Sequence, residues 1–415
     1  MTSLSSTTPN VFNRPELLDN QTRLVLSAHV KPKRLVRDAT RSAGISGLNF
    51  DSNSSMISPV DQEINHDNDD LPIQHHFNYD TDIEQDEEPN KDYSCKGLYL
   101  DQCHRHGVIP STYFLRHLDS KTLSIRYSGL KPINIKVMLP SLKINTNITK
   151  LDVRDNNLGS NGAIYIAQLI ADNEFITELN LADNDIGLQG CIALCSILRS
   201  NRTIRILHLD GNRFNDECGS YFAEVFTHND YIKYINLNKN FFENETTGRL
   251  FGQTLAENQT IEEFHLAWNR LRSKSCALLI KLLASNARLT TFDLSWNGAG
   301  LSAAKAIGEF LKVNSTLEKF HLDNNQFNTE CSIYIGKGLA TNETLKILTL
   351  NGNPLESSGC YGVMHPLIKY PMSSLQIIDL RGITVNKDCI ELITELSTIL
   401  PQLTVKLGRE REFMI

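Results

Sequence analysis

Cysteine and histidine, the side chains that most often bind zinc, lie side by side once in this sequence, at Cys103-His104-Arg105-His106. A structural zinc site takes four such ligands, usually as two pairs at short spacing. No second pair follows at a spacing that zinc sites use. We therefore expect neither a metal nor another cofactor at this cluster.

Catalytic motifs are also absent. The sequence contains no G-x-x-x-x-G-K-[ST] phosphate-binding loop, no G-x-S-x-G nucleophile elbow and no H-E-x-x-H metal-binding helix. Acidic residues alternate with asparagine and histidine in several short stretches, but such pairs arise on any polar strand. We therefore predict no catalytic residues and a protein that is not an enzyme.

The most regular spacing in the chain belongs to apolar residues, and it sets where the polar ones must lie. In Ile261–Leu271, I-E-E-F-H-L-A-W-N-R-L, Phe264 and Leu266 predict a short strand that faces inward. Asn269 is placed to satisfy backbone groups where the chain turns, because an unpaired buried backbone group is costly. The equivalent of Phe264 recurs every 28–30 residues, at Leu123, Leu151, Leu179, Leu207, Ile235, Phe264, Phe292, Phe320, Leu348 and Ile378.

Two rows of asparagine accompany these strands. The first row follows each strand, at Asn156, Asn184, Asn212, Asn240, Asn269, Asn297, Asn325 and Asn353, and is replaced in the outermost units by Ser128 and Ile383. The second row precedes each strand, at Asn145, Asn173, Asn201, Asn229, Asn258, Asn286, Asn314 and Asn342. Asparagine tolerates the left-handed conformation that commonly ends helices, so we expect the second row to stop the helices in that conformation.

Between the two rows, apolar residues recur at i, i+3, i+4 and i+7, which predicts one helix in each unit. The first residue of each set is small. In three repeats it is a cysteine, at Cys191, Cys276 and Cys360. We predict that these cysteines fill a buried slot where the helix approaches the strand. The chain is then α/β, a solenoid of about ten repeats of 28–29 residues, with parallel strands on the concave side and helices on the convex side.

This pattern resembles the ribonuclease-inhibitor class of leucine-rich-repeat proteins over roughly Leu123–Leu407. The stretch Tyr99-Leu-Asp-Gln-Cys103-His-Arg-His-Gly107-Val-Ile-Pro110, followed by Phe114-Leu-Arg, is similar to the leucine-rich-repeat-containing protein seventy-four family. The resemblance implies a horseshoe fold and an intracellular module for protein interactions. The same repeat class includes the Ran GTPase-activating proteins, which implies an alternative role as a regulator of a small GTPase.

Composition divides the chain into four parts. We predict a disordered acidic region at 1–92, a helical N-terminal cap at 93–122, the repeats at 123–407 and a C-terminal tail at 408–415. Residues 1–93 carry 16 Asp+Glu and 8 Lys+Arg, which leaves 32 Asp+Glu and 33 Lys+Arg for the rest. Within the acidic region, the basic cluster Lys31–Arg41 fits a solvated tail, a nuclear-import signal or a docking peptide.

Charge and hydropathy exclude several classes of partner. The repeat region is nearly neutral and has no basic stripe, so we expect no nucleic acid. The N-terminus lacks the apolar core of a signal peptide, and no run reaches the roughly 20 apolar residues that span a bilayer. We expect a cytoplasmic monomer with reduced cysteines and no membrane contact, and association with the cytoskeleton or a cilium is the alternative location.

The side chains that alternate with the inward ones face outward, so they are the candidates for binding. In the stretch Ile261–Leu271 these are Glu263, His265, Ala267 and Trp268. Trp268 and Trp296, the two tryptophans of the chain, occupy the same position in adjacent repeats. They either pack on each other and cover the turn or anchor a partner. We predict that the partner-binding residues are Trp268, Trp296, His265, Asp293, His321, Asp323, Asp210, Tyr234 and Glu263.

The outward-facing histidines are too far apart to share a metal. His208, His265 and His321 fall on alternate repeats, and two strand spacings are about 10 Å. A scaffold that binds an unidentified protein partner on its concave face is therefore our main interpretation. The GTPase regulator is one alternative, although here the acidic run precedes the repeats, whereas the Ran-directed relatives are implied to carry it after them. A structural component of a cytoskeletal or ciliary assembly is the other.

Overall fold

Eleven short parallel strands form an open sheet in the part of the chain that the computed structural model describes, residues 92–370 and 372–408. Each strand pairs with the next one in sequence, and equivalent residues of successive repeats lie side by side, as Phe264 and Phe292 do. The strands are β1 Thr122–Ser124, β2 Lys150–Asp152, β3 Glu178–Asn180, β4 Ile206–His208, β5 Tyr234–Asn236, β6 Glu263–His265, β7 Thr291–Asp293, β8 Lys319–His321, β9 Ile347–Thr349, β10 Ile377–Asp379 and β11 Thr404–Lys406.

One helix follows each of the first ten strands. The helices are α1 Cys95–His106, α2 Thr112–His117, α3 Pro132–Lys143, α4 Gly159–Asp172, α5 Gly187–Leu198, α6 Asp216–His228, α7 Glu245–Glu257, α8 Arg272–Leu283, α9 Leu301–Val313, α10 Thr329–Leu339, α11 Glu356–Met364 and α12 Lys387–Ile399, with a 3₁₀ helix at His365–Lys369. Consecutive helices pack against each other in one layer. The predicted α/β solenoid of parallel strands and helices is confirmed.

The core lies between the sheet and this helix layer. All ten predicted inward residues are the central residues of β1–β10, and all are buried. In the middle of the array these residues are phenylalanines, and the ring of Phe292 stacks on those of Phe264 at 5.9 Å and Phe320 at 5.5 Å. The eleventh strand, β11, extends the sheet by one strand beyond the ten predicted units.

Two helices precede the first strand. Helix α1 begins at the cap Ser94, whose hydroxyl accepts a hydrogen bond from the Gly97 N–H, and packs on α3. The buried rings of Tyr99 and Phe114 lie 4.4 Å apart between α1 and α2. These contacts bury apolar surface that the first repeat would otherwise leave exposed, as terminal repeats require.

The small first residue of each helical set sits where two helices meet closely. Cys191, Cys276 and Cys360 are buried, as predicted. We expected the slot to face the strand, whereas at Gly219 and Gly248 the atoms nearest to an added Cβ belong to the next helix. Gly248 occupies the same slot on α7, and a Cβ atom there would lie 2.6 Å from the carbonyl oxygen of Ser275 on α8. Free cysteine and glycine fit this slot because larger side chains would push the helices apart.

The first row of asparagines forms a continuous ladder of buried hydrogen bonds. Asn325 shows the pattern: its amide donates to the carbonyls of Leu294, Leu322 and Asp323 at 3.0–3.3 Å. Its side-chain oxygen accepts the N–H groups of Asn297 and Ala299, both at 3.0 Å. One buried side chain therefore satisfies five backbone groups of two repeats, and the predicted role of this row is confirmed.

The second row of asparagines is buried too, but our expectation for its conformation was wrong. Asn173 ends α4 in an extended conformation, with φ −87° and ψ 126°, and not in the left-handed one. Its amide donates to the carbonyls of Leu142 and Asn145 in the preceding repeat, at 2.9 and 3.1 Å. Its oxygen accepts the N–H groups of Phe175 and Ile176. The residue stops the helix through these bonds, which tie it to the previous unit.

Several predictions concern residues that lie outside the described ones. The predicted disordered region 1–92 lies outside them except for Asp92, and so do the basic cluster Lys31–Arg41 and the tail after Gly408. Within residues 92–370 and 372–408, no helix is both long enough and apolar enough to cross a membrane.

Replacing Asn325 with alanine tests the ladder. The change removes the partner of two buried N–H groups, those of Asn297 and Ala299, and one of the two hydrogen bonds to each of three carbonyls. We therefore expect the free energy of unfolding to fall by about 3 kcal/mol or more. The exposed neighbour Gln326→Ala is the control, with an expected change within about 0.5 kcal/mol. Urea denaturation followed by circular dichroism measures both variants. Equal stability of the two variants would contradict the role of the ladder.

Candidate partner-binding surface

The polar side chains of the central strands form one face of the sheet, because they alternate with the buried residues. Three rings are in contact along this face from β4 to β6, tilted against each other by 50° and 41°, with His208 4.9 Å from Tyr234 and Tyr234 5.0 Å from His265 between centroids. His208 and His265 thus lie on either side of one tyrosine. The structure brings Tyr234 and His265 of the predicted site into contact.

Two acidic residues flank His265. Its Nδ1 atom lies 3.8 Å from the Asp293 carboxylate and its Nε2 atom lies 3.6 Å from that of Glu263. Asp293 also accepts the backbone N–H of Ser295 at 3.0 Å. Burial alone would raise the pKa of Asp293, but the nearby His265 ring and the hydrogen bonds from Ser295 outweigh it and lower that pKa. Asp293 is therefore a fixed negative charge at the centre of the face.

Asp323 has a different environment. Its carboxylate accepts hydrogen bonds from the Thr349 hydroxyl at 2.7 Å and the Asn351 N–H at 2.8 Å. Burial raises the pKa of Asp323 to about 6, and the charges of Asp379 and Asp293 add to the shift. Burial lowers the pKa of the neighbouring His321, so that this histidine is neutral at pH 7.

Asp210 lies apart from the other predicted residues, on the β4 side of the face. It is 7% exposed and accepts a hydrogen bond from Asn236 at 3.1 Å, with Arg154 at 4.0 Å. Burial raises its pKa. Ala267, which we expected to face outward, is 3% exposed, so it offers a partner almost no surface. Its N–H donates a hydrogen bond to the side-chain oxygen of Asn238 at 2.6 Å.

Trp268 and Trp296 stack on each other and stay exposed. Their ring centroids are 3.9 Å apart with an interplanar angle of 14°. Trp268 is 48% exposed and Trp296 is 42% exposed. The two interpretations left open by the sequence therefore share one geometry, in which the rings pack together and still present apolar surface to solvent.

The backbone at both tryptophans is left-handed, with φ of 56° at Trp268 and 57° at Trp296. The whole row shares this conformation, and its members are Tyr127, Asp155, Asp183, Gly211, Lys239, Trp268, Trp296, Asn324, Gly352 and Gly382. Glycine, asparagine and aspartate suit a positive φ, whereas a bulky residue there is strained. The row is thus occupied by the expected residues except at Tyr127, Lys239 and the two tryptophans.

Sequence reasoning missed a second aromatic group next to the tryptophans. Phe241 is 40% exposed, and the guanidinium of Arg270 lies 4.8 Å from the centre of its ring. Phe241 follows Asn240 and Arg270 follows Asn269, so both lie at the turn position just after a ladder asparagine. The available signal was Phe241 itself, an aromatic residue at a position that polar residues, glycine or proline occupy in the other repeats.

The side chains of the cysteine–histidine cluster do not share one environment on α1. Cys103 is buried against Tyr99, whereas His104 and His106 are exposed. Among the described residues, no group of three or more histidine, cysteine, aspartate or glutamate side chains is arranged to hold a metal ion.

Three consecutive segments of the chain, 145–167, 172–195 and 200–223, match the family model described as Leucine Rich repeat. These segments contain β2, β3 and β4, and the same strand, asparagine turn and helix continue on both sides of them. The chain therefore contains leucine-rich repeats. The match covers repeats in the first half of the array, and the same strand order and register continue through β1–β11.

The chain is similar to three solved structures at low identity. Internalin inlF from Listeria monocytogenes is 14% identical over 76% of this chain and 88% of that chain, with a TM-score of 0.43. Internalin C2 from the same organism is 18% identical over 68% of this chain and 92% of that chain, with a TM-score of 0.35. Leiomodin-1 actin-binding site 2 is 19% identical over 36% of this chain and 91% of that chain, with a TM-score of 0.32.

The raised pKa of Asp323 makes stability depend on pH. The folded protein binds this proton more tightly than the unfolded chain, whose aspartate has a pKa of 3.8. Stability is therefore highest below pH 3.8 for this group and is lost as the pH rises through about 6. In Asp323→Asn we expect this loss to disappear, which raises stability relative to the parent by roughly 1–2 kcal/mol between about pH 4.5 and 7.5. Parallel pH profiles of the two proteins in urea denaturation would contradict this.

Glycine at both tryptophan positions tests the backbone strain. In Trp268→Gly/Trp296→Gly, the lost stacking, about 1 kcal/mol, is offset by relief of the left-handed strain at two residues. We expect unfolding free energies within about 1 kcal/mol of each other for the variant and the parent. The alanine double variant, which keeps a Cβ atom at positive φ, is expected to be less stable than the glycine variant by about 1–2 kcal/mol. A glycine variant that is the less stable of the two would contradict the strain.

Proposed function

We propose that this leucine-rich-repeat protein is a non-catalytic scaffold that binds a protein partner on the concave face of its sheet, with the stacked pair Trp268 and Trp296 as the anchor. The observation that carries the proposal is this pair. Each ring occupies a strained backbone position, which costs on the order of 1 kcal/mol or more, and about half of each ring is exposed. Folding gains little from such a placement, whereas binding gains a large rigid apolar surface.

Tryptophan suits this role because it dominates the energetics of many interfaces. Exposed tryptophans that become buried on binding are among the residues whose loss costs most affinity. Here each ring restrains the other, so less side-chain entropy is lost when a partner covers them. The neighbouring Phe241 and Arg270, themselves in contact, extend the aromatic surface along the same turns.

The polar residues beside the anchor fix the orientation of a bound partner. His265 lies between the carboxylates of Glu263 and Asp293, and Asp323 is fixed by Thr349. These groups sit on strands whose spacing is set by the buried ladder, so the face is formed before a partner arrives. A partner then pays little to order it, which favours affinity from complementary shape and hydrogen bonds.

Partner binding by the glycine double variant tests the proposal. Proximity labelling in the native cell identifies the proteins near the full chain, and purified candidates are then titrated against parent and Trp268→Gly/Trp296→Gly. We expect the partner's affinity to fall at least about a hundredfold, because two hot-spot residues are removed. The matched control is Tyr361→Ala/Ile333→Ala, which removes exposed apolar side chains from the helix layer. Unchanged affinity in the glycine variant would contradict the anchor.

Two other outcomes would replace the scaffold by the alternatives that the sequence left open. Stimulated GTP hydrolysis by a Ran-type GTPase in the presence of the purified chain would make it a GTPase regulator. Sedimentation with microtubules or axonemes that the glycine double variant shares with the parent would make it a component of such an assembly, held through another surface.

A further inference from the structure

The helix layer carries an apolar groove on the side away from the proposed anchor, between α8 and α9. The groove encloses about 460 Å³. Its floor is made of small side chains, Ala277 of α8, Ala284 directly after α8 and Ala306 of α9. Its walls are Leu278 and Val313, and Val313 is 66% exposed. Small residues on two neighbouring helices let a third helix approach their backbones closely.

The charge around this groove is positive. Lys281 lies on the α8 wall and Lys305 on the α9 wall, and both are exposed. Lys274 adds a third exposed cation on α8. The acidic residue of the lining, Glu309, is already paired with Lys312 at 2.7 Å. An apolar strip between two lysine-bearing walls therefore complements an apolar strip between acidic side chains.

The positions of the two lysines define the spacing that a partner must match. Cys276 of α8 and Ala304 of α9 are equivalent residues of adjacent repeats, so Lys305 is level with Ala277 and Lys281 with Glu309. The two cations thus face each other across the groove about one helical turn, 6 Å, apart along its length. Acidic residues on opposite flanks of an amphipathic helix, one turn apart, reach both.

The cavity between α4 and α5 shows how a groove in the same helix layer can differ. The cavity between α4 and α5 is lined by Asn173, Glu174, Ser200 and Arg202 and is therefore largely polar. Polar lining gives an apolar helix face little to bury against. The α8–α9 groove combines the apolar floor with the exposed Lys281 and Lys305, the second of which also lies 5.2 Å from the centre of the Tyr334 ring. Amphipathic helices are bound by laying their apolar face into an apolar groove of this kind.

We propose that the groove between α8 and α9 is a second docking site, which takes an acidic amphipathic helix of a partner protein. The apolar stripe of that helix fills the space above Ala277, Ala284 and Ala306, and its acidic flanks contact Lys281 and Lys305. The site is independent of the concave face, so that the protein can hold two partners at once.

A designed peptide of about 14 residues, roughly 20 Å long as a helix, tests this site. It carries leucine at i, i+3, i+4 and i+7 with glutamate on both flanks, and a matched peptide carries lysine in place of glutamate. Fluorescence anisotropy with the full chain is expected to show binding of the glutamate peptide and at least tenfold weaker binding of the lysine peptide. Equal binding of the two peptides, or none, would overturn the proposal.

Charge-reversal variants of the protein test the docking site more sharply than the peptides alone. In Lys281→Glu/Lys305→Glu, the glutamate peptide should lose at least tenfold in affinity and the lysine peptide should gain as much. In Ala277→Leu/Ala306→Leu the floor is filled, and both peptides should bind at least tenfold more weakly. The control Ala171→Leu lies at the polar α4–α5 cavity and should change neither affinity. Binding that survives filling of the floor or fails to follow the charge reversal would overturn the docking site, whatever the tryptophan variants show.

Discussion

Every repeat of this chain turns from strand to helix at a point where water cannot reach the backbone, and the fold depends on how those backbone groups are satisfied. The ladder asparagines do this from one unit to the next. Asn325 serves groups of its own repeat and of the one before it, and Asn353 in turn serves the Asn325 N–H. No single repeat could satisfy its turn alone. Stability is therefore shared between neighbours, which is the behaviour expected of an array with nearest-neighbour interfaces.

The same constraint explains the shape of the surface. Because the ladder fixes the turn, one residue of most units is held in the left-handed conformation beside it. Gly211, Gly352 and Gly382 accept that conformation at no steric cost, and Trp268 and Trp296 do not. The hydrogen bonds of the turn thus fix a backbone position from which a large side chain must project into solvent. The two tryptophans use it to present a stacked, half-exposed pair.

Much of the fold could be predicted from the sequence, because the same spacing recurs in ten repeats. One atypical residue in a single repeat therefore does not change the assignment. The inward residues, the small slot at Cys276 and the role of Asn269 each recur in phase. The conformation of Asn173 could not be predicted, because its hydrogen-bond partners belong to the previous repeat. The burial of Ala267 and the left-handed backbone of Trp268 depend on the turn that follows them. Alternation along a strand does not describe residues at the point where the strand ends.

The candidate site was predicted in part for the same reason. Spacing placed Trp268 beside Trp296, yet it gave no angle between the rings and no backbone cost, and these two properties make the pair informative. Asp210 fell on the correct face but is enclosed by Arg154 and Asn236, which lie on other strands. The position of a residue in its repeat predicts on which face of the sheet its side chain lies. The neighbouring side chains determine how much of its surface is exposed to a partner.

Hydroxyl-radical footprinting of the complex with a partner from the native cell tests the central claim most directly. Oxidation of Trp268 and Trp296 is measured by mass spectrometry in the free and the bound protein, with the exposed Tyr361 of α11 as the internal reference. A partner on the concave face predicts that both tryptophans become several-fold less reactive while Tyr361 is unchanged. Equal oxidation of the tryptophans in the two states would contradict it.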